Sequence, residues 1–220
     1  MGLIDVHAHL LPSIDHTEVT WESLEDLLSL YRACGFDTVC FTPHLYNPFV
    51  VTDIKGIRDA FKKAADMSEH HDLLPVLASE VYVSDEAFIK GLPIAGRYIL
   101  LEFSTAFAPV NLVEKLDSIS SELTPIIAHI ERYSWLSADS QLVRLFKDKG
   151  YLIQINGKAV KKGGRVLEYL ESGVVDLVAS DCHGNRDDII FAAEVISRYS
   201  MIQKKMNDLS REIKEVVQCF

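Results

Sequence analysis

Short, continuous apolar runs alternate with stretches of helical periodicity along this 220-residue chain. Residues 3–6 (Leu-Ile-Asp-Val) read as a buried strand. After a loop, Thr20 is placed to cap a helix, with Glu22 in its first turn and Leu24, Leu27, Leu28 and Tyr31 along one face. Gly35 stops that helix, and residues 36–42 predict a second strand running into Thr42-Pro43-His44. Pro48 breaks the next loop. Residues 54–67 predict a helix with Ile57, Phe61 and Ala64 on one side, and residues 73–83 a third strand region. Residues 97–103 and 125–130 predict the fourth and fifth strands. Between them Pro109 opens a helix whose Leu112, Val113, Leu116 and Ile119 share a face. A helix over 140–149 is ended by Gly150, and a sixth strand covers 151–156. A further helix stops at Gly173, and a seventh strand covers 174–180. Two helices follow, with Ile189, Ala193 and Ile196 on the first and Met206, Leu209, Ile213 and Val216 on the second.

The step from helix through glycine to apolar strand recurs at Gly35-Phe36, Gly150-Tyr151 and Gly173-Val174. Unbroken apolar strands alternating with helices are the mark of a parallel sheet covered by helices, an α/β fold. Seven strands without a candidate edge strand predict a closed or nearly closed barrel. No linker or composition shift divides residues 1–220, so a single domain is expected.

Composition narrows the class. Hydrophobic residues make up 48% and charged residues 25%, which excludes a disordered chain. No apolar run reaches bilayer length and no secretory signal is visible, so membrane insertion is not expected. The four cysteines, Cys34, Cys40, Cys182 and Cys219, lack paired spacing and read as reduced, mostly buried thiols of a cytoplasmic protein. A net charge of −10 argues against a nucleic-acid surface.

The polar residues then change the picture. Residues two apart on a strand point the same way, so His7 and His9 aim both imidazoles at one point where the first strand ends. His44 follows the second strand, Glu80 and Glu102 lie late in the third and fourth, and His129 lies late in the fifth. Asp181 and His183 follow the seventh. All of them fall at C-terminal strand ends, which face one mouth of a barrel and carry its active site. Imidazoles and carboxylates without thiolate suit Mn, Fe, Zn or Mg. Five histidines and three carboxylates, with Asp15 as a fourth, exceed what one ion holds, so two or three ions are expected, with Glu80 or Asp181 as bridges. Four carboxylates against three divalent cations leave the site at about +2, enough to attract a phosphate to an acidic protein.

Asp-Val-His-Ala-His-Leu-Leu-Pro at 5–12, Thr-Pro-His at 42–44, Glu80, Glu102, Ala-His-Ile-Glu-Arg-Tyr at 128–133 and Ala-Ser-Asp-Cys-His at 179–183 resemble the PHP (polymerase and histidinol phosphatase) superfamily. Within it they resemble the CpsB/CapC-type metal-dependent tyrosine-protein phosphatases of bacterial capsule and exopolysaccharide loci. The resemblance implies a PHP-type distorted (β/α)7 barrel holding three ions, manganese first with iron or zinc as alternatives. Carried over by position, His7, His9, Glu80 and Asp181 hold one ion. Glu80 bridges to a second, held also by Glu102 and His129. Asp15, His44 and His183 hold the third, and Arg132 matches the arginine that grips the phosphate. One stretch departs: where the family reads Pro-Gly-x-Asp-Asp-Gly, this chain has Pro-Ser-Ile-Asp-His-Thr, so His16 and Thr17 replace an acid and a glycine.

The implied reaction is hydrolysis of protein phosphotyrosine by a metal-activated water, with Arg132 and His44 as catalytic residues. The implied partner is a phosphotyrosine protein such as a bacterial tyrosine kinase tail, and an oligomer is left open. A cysteine route is excluded, because the residues six after Cys34, Cys40 and Cys182 are Cys40, Tyr46 and Asp188, none of them arginine. A small-molecule phosphoesterase and a non-catalytic phosphotyrosine-binding module are the alternatives. Several side chains carry bland readings. His70-His71 reads as solvated, His16 as an outer partner or exposed, Cys182 as core, and Arg132 alternatively as an ion pair with Glu131. Gln154 and Asn156 are placed to orient a ligand. Tyr46, Phe49 and Phe107 read either as the lining of a substrate face or as satellites of the core.

Overall fold

The computed structural model describes residues 2–85 and 89–218. Its strands are β1 Leu3–Ala8, β2 Phe36–Phe41, β3 His44–Leu45, β4 Leu74–Leu77, β5 Glu80–Tyr82, β6 Tyr98–Glu102, β7 Thr124–Ile127, β8 Leu152–Asn156 and β9 Leu177–Ala179. Its helices are α1 Trp21–Ala33, α2 Ile57–Glu69, α3 Leu112–Ser120, α4 Gln141–Asp148, α5 Gly157–Lys162, α6 Arg165–Glu171, α7 Arg186–Arg198 and α8 Ser200–Gln218. The strands pair in parallel in two sheets, β1-β2-β4 and β3-β5-β6-β7-β8-β9.

The two sheets share chain paths. β2 continues into β3 across Thr42-Pro43, and β4 into β5 across Ala78-Ser79. Each expected strand run therefore becomes two short strands. Pro43 has no N–H to give to a ladder, and Ala78 N–H still reaches the Phe41 carbonyl at 2.9 Å across the break. Seven runs of sequence thus yield nine strands. At the far side a parallel bridge joins Ala8 to Cys182, with His9 N–H on the Cys182 carbonyl and Asp181 N–H on the His7 carbonyl, both at 2.9 Å. These bonds tie the end of β1 to the segment leaving β9.

Burial explains the strand sequences. All six residues of β1 and all five of β8 are buried, as expected for strands covered on both faces. The expected helical faces are also the buried ones. Leu24, Leu27, Leu28 and Tyr31 of α1 are buried, and Thr20 and Ser23 form a reciprocal capping box at its start. Such a cap contributes about 1 kcal/mol. Gly35 leaves α1 at φ +88°, a region that side chains other than glycine's rarely adopt. Gly157, at the start of α5, is needed for a different reason. A Cβ there would stand 2.5 Å from the Ala192 backbone, so α5 and α7 meet only because the side chain is missing.

Three helix boundaries differ from expectation. α3 starts at Leu112, not at Pro109, with Asn111 in a left-handed turn ahead of it. α2 starts at Ile57, after a turn in which Asp53 accepts from Gly56 N–H. The helix expected to end at Gly173 is two, α5 and α6, because Gly163 and Gly164 both take positive φ between them. On α7, Ala192 and Val195 join Ile189 and Ile196 in the core, while Ala193 is half-buried. Cys40 and Cys182 are buried and Cys34 half-buried, all as free thiols; Cys219 lies outside the described residues.

Candidate metal centre

Strand ends deliver most of these polar residues to one pocket, while His44 and Glu80 stand at the starts of the short strands β3 and β5. His7, near the end of β1, puts Nε2 3.0 Å from His9 Nε2, 3.3 Å from Glu80 Oε1 and 3.5 Å from Asp181 Oδ1. His129 Nε2 reaches Glu80 Oε1 at 2.9 Å and Glu102 Oε1 at 3.7 Å. His44 Nδ1 lies 2.9 Å from Glu80 Oε2 and 3.6 Å from Glu102 Oε2. His9 Nδ1 meets Asp15 Oδ2 at 3.1 Å, and the His9 and His183 rings stack at 4.1 Å. All nine expected ligand positions therefore converge. Their ligand atoms fall into groups of three within 4.8 Å, such as His7, Glu80 and His129, or His7, His9 and Asp181.

Two of these residues sit in strained backbone. His129 (φ 28°) and Asp181 (φ 49°) are left-handed positions without glycine. Hydrogen bonds hold both. Gln154 Oε1 accepts from His129 N–H at 2.8 Å, and Asp181 Oδ2 accepts from Asn156 Nδ2 at 2.7 Å. Gln154 Nε2 also donates to Asn156 Oδ1 at 2.9 Å, so the two amides form one supporting frame. Asp5 was not among the expected site residues. It lies beneath His7, accepts from Tyr31 Oη at 2.9 Å and from the N–H groups of His7 and Ser180, and keeps the β1 end in place. The period of two that pairs His7 with His9 also puts Asp5 on their face, so the signal was present. Asn47 donates to Glu102 Oε2 at 2.8 Å from a loop that offered no such signal.

The electrostatics are those of a crowded ion cluster. Burial alone would strip His9 of its proton, but the hydrogen bond to Asp15 and the charge on Glu80 outweigh it and lift the imidazole to about 10. Glu80 is held well below the usual carboxylate range: burial opposes this, and the charge on His7 with the hydrogen bond from His129 prevails. Two groups are left out of the exchange. Burial, then repulsion from Glu80, pushes Glu102 up to about 7. Burial, then repulsion from His9, pushes His183 down to about 3.

Unsatisfied atoms test the fit to metal. His44 Nδ1 and Glu80 Oε2 approach to 2.9 Å yet make no hydrogen bond, and His183 Nε2 and Asp15 Oδ1 are buried without a partner. Buried polar atoms seldom go unpaired. Nitrogen and carboxylate oxygen that crowd together without bonding suit a shared cation, and the donor set of imidazole and carboxylate fits a divalent ion.

Above the cluster opens a cavity of about 930 Å³ lined by His44, Glu80, Glu102, Arg132, Asp181 and His183. Arg132 stands exposed on its wall, while Glu131 turns inward and accepts the Asn156 N–H at 3.2 Å. Lys158 was missed by sequence reasoning. It reaches the cavity from α5, with Nζ 3.1 Å from the Asp181 carbonyl and 3.4 Å from Asp188 Oδ2. Phe49 and Phe107 line the cavity and are 89% and 63% exposed, so they are not satellites of the core. Tyr46 is half exposed and is not part of that lining. Cys182 is buried, donates to the Asn185 carbonyl, and has its thiol pushed up to about 12 by burial, so it is core as expected. His71 pairs with Glu25 on the surface.

No helix among the described residues is long and apolar enough to cross a membrane. Comparison with known proteins places the chain. A tyrosine-protein phosphatase CpsB of Streptococcus pneumoniae is 29% identical over 201 residues, covering 82% of this chain and 83% of the relative. One from Streptococcus agalactiae is 26% identical over 203 residues, with the same coverage. Among solved structures, one described with YwqE from Bacillus subtilis and CpsB from Streptococcus pneumoniae, unique metal-dependent tyrosine phosphatases, superposes with a TM-score of 0.74 at 20% identity. It covers 98% of this chain and 94% of the other. The lactonase Lmo2620 of Listeria monocytogenes shares the fold more loosely, at a TM-score of 0.53 and 11% identity over 100% of this chain and 92% of that one. Residues 3–216 match the family described as capsular polysaccharide synthesis, CpsB/CapC, and this chain belongs to that family.

Proposed function

We propose that this chain is a metal-dependent phosphatase that hydrolyses phosphotyrosine in proteins, acting as one domain over residues 1–220. The observation that carries it is the convergence of His7, His9, His44, Glu80, Glu102, His129, Asp181 and His183 beneath a cavity that also presents Arg132. Family membership and the tyrosine-protein phosphatase activity named for the streptococcal relatives support the same reading.

His7, His9, Glu80 and Asp181 would hold one ion, and Glu80, Glu102 and His129 a second. Asp15, His44 and His183 would hold a third, with the unpartnered Asp15 Oδ1 and His183 Nε2 among its donors. Manganese is the ion proposed for all three positions, the first two of them the inner pair and the third the outer, with iron or zinc as alternatives. When bound, the ions supply Lewis-acid stabilisation of the phosphoryl oxygens and a water acidic enough to attack near neutral pH.

The chain does the positioning. Arg132 offers a planar pair of donors to two phosphoryl oxygens and stabilises the charge that grows there. Lys158 adds a second positive charge on the same wall. His44, also on the cavity lining, is assigned the side of the leaving oxygen. A phenol leaves with a pKa of about 10, so little protonation is needed. Phe49 and Phe107 give the tyrosine ring an apolar face above the anion site. A kinase tail rich in tyrosines, on the cytoplasmic side, is the proposed partner.

The test is turnover of p-nitrophenyl phosphate and of a phosphotyrosine peptide by protein loaded with manganese. Hydrolysis of both is expected, with the peptide preferred. No turnover of either by metal-loaded protein overturns the proposal. Preference for a small phosphate ester over every peptide would assign a small-molecule phosphoesterase instead.

A further inference from the structure

The mouth of the cavity differs from one side to the other. The strand order β3-β5-β6-β7-β8-β9 sets which loop stands beside which. The loops after β3 and β6 bring Phe49, Val50 and Phe107 to the lining. The segments after β7 and β8 bring Arg132, Lys158 and Lys162. The lining is therefore apolar over one sector and cationic over the next, in a chain whose net charge is −10.

Helix α5 carries most of the cationic sector, and its orientation is fixed. Gly157 lets its first turn meet the Ala192 backbone of α7. Lys158 and Lys162 stand at i and i+4, so they share a helical face, and that face lines the cavity together with Ala159. Lys161 points elsewhere, with Nζ 3.4 Å from the centre of the Phe191 ring on α7. A helix C-terminus favours a lysine, which Lys161 already supplies. Like charges at i and i+4 repel, so the pair on the cavity face does nothing for the helix itself. Lys158 is partly neutralised, with Nζ 3.4 Å from both Asp181 Oδ2 and Asp188 Oδ2. Lys162 is exposed and pairs with no carboxylate among the described residues. Glu131, on the same lining, is spent on the Asn156 N–H at 3.2 Å.

We infer that this wall reads the chain flanking the phosphotyrosine, and that Lys162 makes the enzyme prefer substrates with an acidic side chain within about three residues of it. The inference rests on the phosphatase reading above. With the phosphate at Arg132 and the ring against Phe49 and Phe107, the substrate backbone lies at the rim. An extended chain advances about 3.4 Å per residue, so the side chains next to the phosphotyrosine sweep the rim beside α5. A carboxylate there meets a lysine whose charge no other group has answered. Exposed pairs of this kind add a modest gain that salt screens, and they act on capture of the substrate.

The experiment measures kcat/KM of the manganese-loaded full chain on phosphotyrosine peptides that differ only in their flanking residues, which are glutamate, glutamine or lysine. At low salt the best glutamate peptide is expected to exceed its glutamine counterpart by about threefold to fivefold. That advantage should vanish at about 1 M salt, where the screening length is about 3 Å. Lys162→Gln should bring the ratio close to one, and Lys162→Glu should turn the preference toward the lysine peptide. Only the ratio between peptides is read within each variant, so a general loss of active protein does not imitate the result. A wild-type ratio of one at every flanking position, or a glutamate preference that survives Lys162→Glu, overturns this inference alone. No turnover of any peptide by protein that holds its metal overturns the phosphatase reading beneath it.

Discussion

The inner and outer halves of the centre stand on different supports. His7 lies in β1, and Glu80 and Glu102 in β5 and β6, inside the parallel ladder. His129 leaves β7 in a strained turn that Gln154 holds. Each of these four side chains is buried. Asp15, His16 and His183 come from loops, and only cross-bonds such as Glu18 N–H on the His183 carbonyl fix them. The inner half cannot shift without moving the sheet, whereas the outer half can change one residue at little cost to the fold. The departure from the family pattern, His16 and Thr17, falls in the outer half.

Substitutions can break or sharpen that contrast. The largest effect is expected at Glu80, which touches His7, His9, His44 and His129. Glu80→Gln should empty both inner positions and cut phosphatase turnover roughly 1000-fold. Metal content and rate measured together check it, and retention of both inner ions would erase the distinction between the halves. Next comes Arg132→Ala, expected to lower kcat/KM roughly 100-fold with the ions retained, and Arg132→Lys to recover part of that. A parallel loss of metal would show that Arg132 supports the cluster and does not grip substrate.

Asn156→Ala removes the 2.7 Å bond that holds Asp181 in its strained turn. Metal affinity should fall by about 10- to 100-fold, read by chelator competition. Phe49→Ala with Phe107→Ala should raise KM for a phosphotyrosine peptide about tenfold and leave kcat alone. An equal effect on free phosphate binding would remove the rings from the recognition of the tyrosine.

The smallest effect concerns stability, far from the mouth. Asp37 accepts from Ser210 at 2.7 Å, from Gly2 N–H at 2.7 Å, and from Lys214, pinning α8 to β2. Burial opposes ionisation there, but the Lys214 and Ser210 hydrogen bonds prevail and hold the carboxyl below its ordinary 3.8. A depressed folded value gives stability that is full above the unfolded value and fades as pH falls through the folded one. Asp37→Asn should cost about 1 kcal/mol at neutral pH and flatten the acid limb of the pH–stability curve, measured by urea unfolding.

The sequence carried more of the inner half than of the outer. Unbroken apolar runs located His7, His9, Glu102 and His129 at strand ends, because burial on both faces leaves such strands no other pattern, and period-two spacing paired His7 with His9; Glu80 instead opens β5. Breaks within a run were less visible. Pro43 and Ser79 interrupt ladders without altering the hydrophobic pattern, so β3 and β5 merged with their neighbours in the reading. Pro109 satisfies the local rule for a helix start, yet Asn111 takes a left-handed turn and α3 begins after it. Lys158 and Asn47 were invisible for another reason. Each reaches the site across the fold, and nothing near them in sequence distinguishes them from a solvated lysine or a turn asparagine.

The bridge between Ala8 and Cys182 has a consequence for how the protein is made. His7 and His9 emerge from the ribosome first among the site residues, and Asp181 and His183 last, so the two imidazoles of β1 wait through most of synthesis without their partners. Contacts so distant in sequence form late. A nascent chain ending before β9 therefore lacks two members of the cluster, and tight metal retention reports that the last strand has been added.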